Sequence, residues 1–216
     1  MPIIESSQGL VLRTYPLTET SLIVHWLTPG FGRIATVAKG ARGPKSAFRG
    51  KLDLFYLADF GFVRSRRSEL HTLREITLRE THPALRRDIT CLQQACYCAA
   101  LIEQATETET PLPELFDLLR QLLMNLGALE PHASPLFAFE IRLLGELGLE
   151  PDLNSANLSA GAKASLKLLL DADWPAVAAL RLSKPQTREL RQFLHGFLIY
   201  HLGRIPKGRD AALAEG

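Results

Sequence analysis

The feature that most constrains this chain is a change of hydrophobic period near His82-Pro83. Before it, apolar residues tend to recur at every second position; beyond it they recur at every third or fourth. A period of two suits a strand and a period of 3.6 suits a helix, so one regular architecture cannot serve both parts. The expectation is an α+β protein, with a β domain over residues 1–80 and an all-α domain over residues 81–216.

Five segments of the first part are rich in Val, Ile, Leu and aromatics: Gly9–Tyr15, Leu22–Leu27, Arg33–Ala38, Leu52–Val63 and Glu69–Leu78. Turn sequences separate them: LTETS, TPGFG, a long Gly- and Lys/Arg-rich stretch, and RSRRS. Five short strands joined this way predict a small antiparallel barrel. Within Leu52–Val63 one parity reads Leu, Leu, Tyr, Ala, Phe, Phe, while the other mixes in Asp53, Asp59 and Gly61. That is the signature of a barrel interior and exterior.

Helical faces follow. Ile89, Leu92, Cys96, Ala99 and Ala100 trace the first, and Leu115, Leu118, Leu119, Leu122 and Leu123 the second. Pro135–Leu147 is strongly apolar and is stopped by Gly148 and Pro151. A last helix over Pro185–Leu202 has Ser183 to cap its start and Gly203 to stop it. Residues 152–183 are weaker, with a short helix near Lys163–Leu170.

Charge is distributed unevenly. Residues 1–82 hold twelve Lys or Arg against seven acids, a balance of +5, although the whole chain carries only +2. The rest is mildly acidic, which predicts two surfaces with different partners. The cations concentrate in AKGARGPKSAFRGKL, residues 38–52, which holds five of them and no acid.

Most enzyme and metal chemistries find no support. GARGPKS resembles a phosphate loop only superficially: its spacing is short, and Pro44 stands where glycine is needed and lacks an N–H donor. Cys96 and Cys98 are spaced C-x-C, and would point about 200° apart on a helix, so core or half-buried thiols are expected rather than zinc ligands. His25, His71, His82, His132, His195 and His201 form no metal-type pair and no HExxH. There is no G-x-S-x-G elbow and no apolar run near the ~20 residues of a membrane helix, and the N-terminal MPIIESSQGL, without a basic stretch followed by an apolar one, predicts no secretory leader. A non-enzymatic protein of the cytoplasm, without cofactor or metal, is expected.

A small barrel with cationic, glycine-rich loops is a platform for single-stranded nucleic acid, where cations follow the backbone and aromatics stack on bases. The phosphate-contact candidates are Lys39, Arg42, Lys45, Arg49 and Lys51, with Arg64, Arg66 and Arg67 as a second patch and Arg33 beside them. Phe31, Phe48, Phe55 and Tyr56 are candidates for stacking, with barrel core as the alternative reading of each.

The segments GLVLRTYPLTETSLIVHWLTPGFGRIATVAKGAR, SAFRGKLDLFYLADF and ELHTLREITL resemble the N-terminal OB-fold of RecO-type recombination mediators. The resemblance continues through FEIRLLGELGLEPDL and HLGRIPKGRD, so it spans almost the whole chain. It implies binding of single- and double-stranded DNA and annealing of complementary strands. It also implies work with RecR to load RecA on DNA coated with single-strand-binding protein (SSB), whose acidic C-terminal tail the family binds. Many members carry a four-cysteine zinc cluster after the GLEPDL equivalent; here NSANLSAGAKASLKLLLDADW has no cysteine, so zinc is not expected and packing must take over. A cation-lined groove on the helical domain, including Arg142, Arg188 or Arg191, is the candidate for the tail. Arg204, Lys207 and Arg209 either extend the DNA surface or solubilise the C-terminus. The competing expectation is a protein-interaction adaptor whose basic loop receives an acidic peptide rather than DNA.

Overall fold

The computed structural model describes residues 3–128, 130–153 and 156–213. The chain divides into two compact units, one of residues 1–82 with 106–117, the other of residues 83–105 with 118–216.

In the first unit, β1 (Ile4–Pro16), β2 (Leu22–Thr28), β3 (Gly32–Ala38), β4 (Leu57–Val63) and β5 (Leu70–Glu80) close into a barrel of order β1-β2-β3-β5-β4. Every pairing is antiparallel except β3 with β5. This is the five-stranded OB-fold. β1 begins at Ile4, earlier than its apolar stretch suggests, because ESSQ pairs with β4 through Glu5↔Phe62 to Gln8↔Asp59. Leu10 pairs with both β4 and β2, and beyond it β1 pairs with β2 alone, with a bulge between Val11 and Arg13. Gly9 sits just before that change of partner, where an added Cβ would lie 2.8 Å from the Phe60 ring.

The alternation along β2, β3 and β4 fills the interior as expected. Val24, Trp26, Ile34, Ala38, Ala58, Phe60 and Phe62 point inward with Val11, Leu73 and Ile76. Trp26 is fully buried, stacks on Phe60 at 4.2 Å, and donates its indole N–H to Thr36 Oγ1 at 2.8 Å. The hydrogen bond removes the cost of burying the indole N–H.

The fourth strand starts five residues later than predicted. Residues 52–56 form a turn in which Phe55 has φ of +62°. The Phe55 N–H donates to Val11 O at 2.8 Å, and the Val11 N–H to Tyr56 O at 3.0 Å. His82 Nδ1 donates to Phe55 O at 2.7 Å. The turn breaks the parity of the stretch, so Phe55, expected on the mixed face, is buried at 1% exposure.

The second unit contains α1 (Ile89–Ala105), most of α2 (Pro113–Asn125), α3 (Ser134–Glu146), α4 (Ala160–Asp171), α5 (Trp174–Ala179), α6 (Lys184–Leu202) and the short α7 (Arg209–Ala212). α3 is buried on nearly all sides, which explains why its sequence is apolar almost throughout. α6 has the expected ends: Ser183 and Gln186 form a capping box, and Gly203 closes the helix at φ of +73°. Within the weak stretch 152–183, Asn154 and Ser155 lie outside the described residues; α4 and α5 occupy 160–171 and 174–179.

A network missed in the sequence fixes α7. Glu140 on α3 is 0% exposed and accepts from Tyr97 Oη at 2.7 Å, Arg209 Nε at 2.6 Å and Arg209 Nη2 at 2.8 Å. Burial pushes the Tyr97 phenol well above its usual pKa, with the Glu140 charge acting in the same direction. For Arg209 burial opposes the charge, but the bonds to Glu140 outweigh it and raise the pKa. Arg209 is therefore an interior ion-pair residue and cannot extend a DNA surface.

Candidate nucleic-acid interface

The basic stretch runs between β3 and β4 and is a string of tight turns. Gly43 N–H donates to Gly40 O at 3.0 Å, Ser46 N–H to Gly43 O at 3.1 Å, Arg49 N–H to Ser46 O at 3.2 Å, and Lys51 N–H to Phe48 O at 3.0 Å. Its apolar residues anchor it: Ala41 joins the barrel core, and Phe48, Leu52 and Tyr56 pack against that core half-buried. The loop also lies on the β1–β2 connection, where Arg42 N–H donates to Thr20 O at 2.9 Å and Arg42 Nη1 to Thr18 O at 3.1 Å. With the apolar residues turned inward, Lys39, Arg42, Lys45 and Arg49 are left exposed and Lys51 half-exposed. Among the described residues, none of the five has an acid within ion-pair distance.

The second cationic patch is built differently. Arg64 follows β4, and its guanidinium meets Glu5 Oε1 at 3.1 Å and Glu109 Oε2 at 2.5 Å. It also lies over the Phe31 ring at 5.5 Å. The Glu5 hydrogen bond, with the charges of Glu5 and Glu109, raises its pKa above the usual arginine value against the cost of burial. Arg33 is likewise engaged, donating to Thr106 Oγ1 at 2.8 Å and to Thr106 O at 2.5 Å. Arg33 and Arg64 thus fasten the 106–110 strap to the barrel, and of this patch only Arg66 and Arg67 stand exposed without an acid near them among the described residues.

The two patches are not neighbours. The β3–β4 loop begins after Ala38, which pairs with Leu22, whereas Arg64 sits beside Phe31 ahead of β3. They occupy opposite ends of β3, six residue steps of about 3.3 Å apart.

The stacking candidates separate in the same way. Phe55 is buried and offers no face. Phe31 packs edge-on against Phe62 at 5.4 Å, beneath Arg64. Phe48 and Tyr56 keep part of their surface open. The sequence reading passed over Tyr15, 42% exposed near the end of β1 and edge-on to His25 at 5.4 Å. Simple alternation would have placed it inward with Val11; the bulge between Val11 and Arg13 reverses the sides, so the sequence carried no signal for it.

Between the loop and the barrel end is an open cleft of about 380 Å³. Leu22, Ala41, Phe48 and Leu52 supply apolar walls, while Arg42 and Arg49 stand among its polar ones. Arg49 Nη1 donates to Pro44 O at 3.2 Å, which steadies the side chain.

On the helical unit, two of the three residues of the expected cation-lined groove are engaged by partners within the unit. Arg142 donates to Leu169 O at 2.8 Å and Ala172 O at 2.5 Å while lying over Trp174 at 4.8 Å, so it caps the end of α4. Arg191 pairs with Asp210 at 2.7 Å. Arg188, Arg204 and Lys207 are exposed. Cys91 and Cys98 are buried and Cys96 exposed, and no cluster of His, Cys, Asp or Glu among the described residues is arranged to hold a metal. No helix among them is long and apolar enough to cross a membrane.

An OB barrel with an acid-free cationic loop, followed by a separate helical unit, defines the class of this protein. Residues 1–82 match the family model described as Recombination protein O N terminal, and residues 86–158 and 153–210 match Recombination protein O C terminal. The DNA repair protein RecO of Anaeromyxobacter dehalogenans (strain 2CP-C) is 30% identical over 230 residues, 91% of each chain. That of Exiguobacterium sibiricum is 28% identical over 210 residues, 94% of this chain and 82% of the relative. The chain belongs to the recombination protein O (RecO) family of DNA repair proteins.

Proposed function

We propose that this protein is a DNA-binding recombination mediator that acts without covalent chemistry. It binds single- and double-stranded DNA, anneals complementary strands and, with RecR, loads RecA on SSB-coated single strands in the nucleoid. Family membership supports the setting. The observation that carries DNA binding is the β3–β4 loop, whose five cations have no acid within ion-pair distance among the described residues. Annealing without a nucleotide cofactor requires that phosphate repulsion be neutralised while the bases stay available. Cations held outward on a turn-rich loop suit that task. In this reading the barrel unit carries the DNA and the helical unit serves protein partners, with Arg188 the remaining member of its candidate set.

Fluorescence anisotropy with a labelled single strand tests the proposal. If the loop neutralises about five phosphates, log K falls against log salt with a slope near −3.5. Arg42→Glu with Lys45→Glu weakens binding and flattens that slope by about 1.4. A folded double variant with the wild-type slope would remove the loop from the interface. The adaptor reading gives another outcome: the variant loses a labelled acidic SSB-tail peptide and keeps the oligonucleotide.

A further inference from the structure

We infer that the cleft under the β3–β4 loop is a seat for one unstacked nucleobase, which makes the loop selective for single strands. This inference rests on the proposed DNA binding and specifies what its central contact takes.

The first support is the composition of the cleft. Leu22, Ala41, Phe48 and Leu52 give it apolar walls, one of them aromatic, and no acid lines it. Its volume of about 380 Å³ lies at the small end of ligand sites and suits a single heteroaromatic ring system. Phe48 is held by packing against the barrel core, so the wall is formed before a ligand arrives.

The second support is the placement of charge. Arg42 and Arg49 both line the cleft, and each has one terminal nitrogen bonded to a backbone carbonyl, Thr18 O and Pro44 O respectively. A guanidinium has five donors, so most remain for phosphate oxygens. A nucleotide whose base enters the cleft carries its phosphates along the rim, where those two cations and Lys45 lie on the same loop. Apolar walls, an aromatic face and cations at the mouth together match a base with its backbone. Duplex DNA keeps its bases stacked and paired, so it reaches the rim cations but leaves the cleft empty unless it pays to expose a base.

The experiment compares single strands of equal length and charge, one of thymidines and one carrying abasic sites throughout. Both present the same phosphates. Stacking of one base is worth about 1–3 kcal/mol, so the wild-type protein should bind the base-bearing strand roughly 5- to 150-fold tighter, with equal salt slopes. Phe48→Leu keeps an apolar wall but removes the aromatic face, and should bring the ratio toward one without changing the slope. Ala41→Leu fills the cleft without adding an aromatic face and should do the same, so the result does not depend on one variant folding. A wild-type ratio of one at an intact slope would overturn the seat and leave phosphate binding standing. A preserved ratio in both variants, each shown folded by circular dichroism, would place base contact elsewhere and overturn it too. Binding to neither strand would overturn the DNA reading itself, and the seat with it.

Discussion

Two residues show how much depends on contacts distant in sequence. Arg209 looks like one of several tail cations, yet it forms a two-bond pair with Glu140 in the interior. Removing one partner of a buried pair leaves the other charge without compensation, so Arg209→Met should cost about 3–5 kcal/mol. Urea unfolding followed by the helical circular dichroism signal measures it. Adding Glu140→Leu should recover part of the loss, because Tyr97 still lacks an acceptor. His71 is the second case. It is buried, its Nδ1 accepts from Ser65 N–H at 3.3 Å, and its Nε2 lies 3.2 Å from Glu109, with Arg64 and Glu5 in the same cluster. Burial lowers its pKa, and the Arg64 charge works in the same direction, against the pull of Glu109 and Glu5. The folded protein thus takes up the proton less readily than the unfolded chain. The stability this group contributes is complete above the unfolded value of about 6.5 and falls as the pH drops toward the lower folded value. His71→Gln should flatten the loss between pH 7.5 and 5.5. Some slope should persist, because burial also lowers the pKa of His132. An unchanged loss in the variant would count against this role for His71.

At the scale of elements, the 106–110 strap matters most to the barrel. Thr108 bridges to Arg33, the Glu109 N–H donates to Arg33 O at 2.9 Å, and Glu109 takes the Arg64 guanidinium. Close approach is possible only because residue 32 is glycine: at φ of +63°, an added Cβ would meet Thr110 O at 2.0 Å. Gly32→Ala should displace the strap, seen as faster amide exchange at Glu109 and faster proteolysis within 106–111, while Trp26 stays protected in the core. The helix ends are simpler. Ser183→Ala removes the side-chain acceptor for Gln186 N–H and should cost α6 about 1 kcal/mol in thermal or urea unfolding. Local sequence was enough to read that cap. It was not enough for the strap, whose TETET sequence looks like an ordinary polar linker until Arg33 and Arg64 are placed beside it.

For the whole molecule, the separation of the two cation patches along β3 sets how a strand is gripped. A tetranucleotide on the β3–β4 loop should feel Arg42→Glu and be indifferent to Arg66→Glu with Arg67→Glu. A strand long enough to pass both ends of β3 should feel both sets, with nearly additive free energies because the sites share no partner. Anisotropy at fixed salt with both lengths tests this; a tetranucleotide sensitive to Arg66 and Arg67 would argue against two separate grips. The sequence by itself determined the change of hydrophobic period near residue 82, the strand alternation that fills most of the barrel and the ends of α6, because period, turn residues and caps act over a few neighbours; it did not show that residues 106–117 return to the barrel unit or that Phe55 turns inward. It also marked the loop as cationic. Only the tertiary structure decided which cations are already engaged by partners of their own unit. Arg33, Arg64, Arg142, Arg191 and Arg209 all meet partners supplied by distant parts of their own unit, and a charge count cannot distinguish them from Arg42 or Lys45. The loop keeps its charge at the surface because Ala41, Phe48, Leu52 and Tyr56 are drawn onto the barrel core, a burial that turns the intervening Lys and Arg toward water.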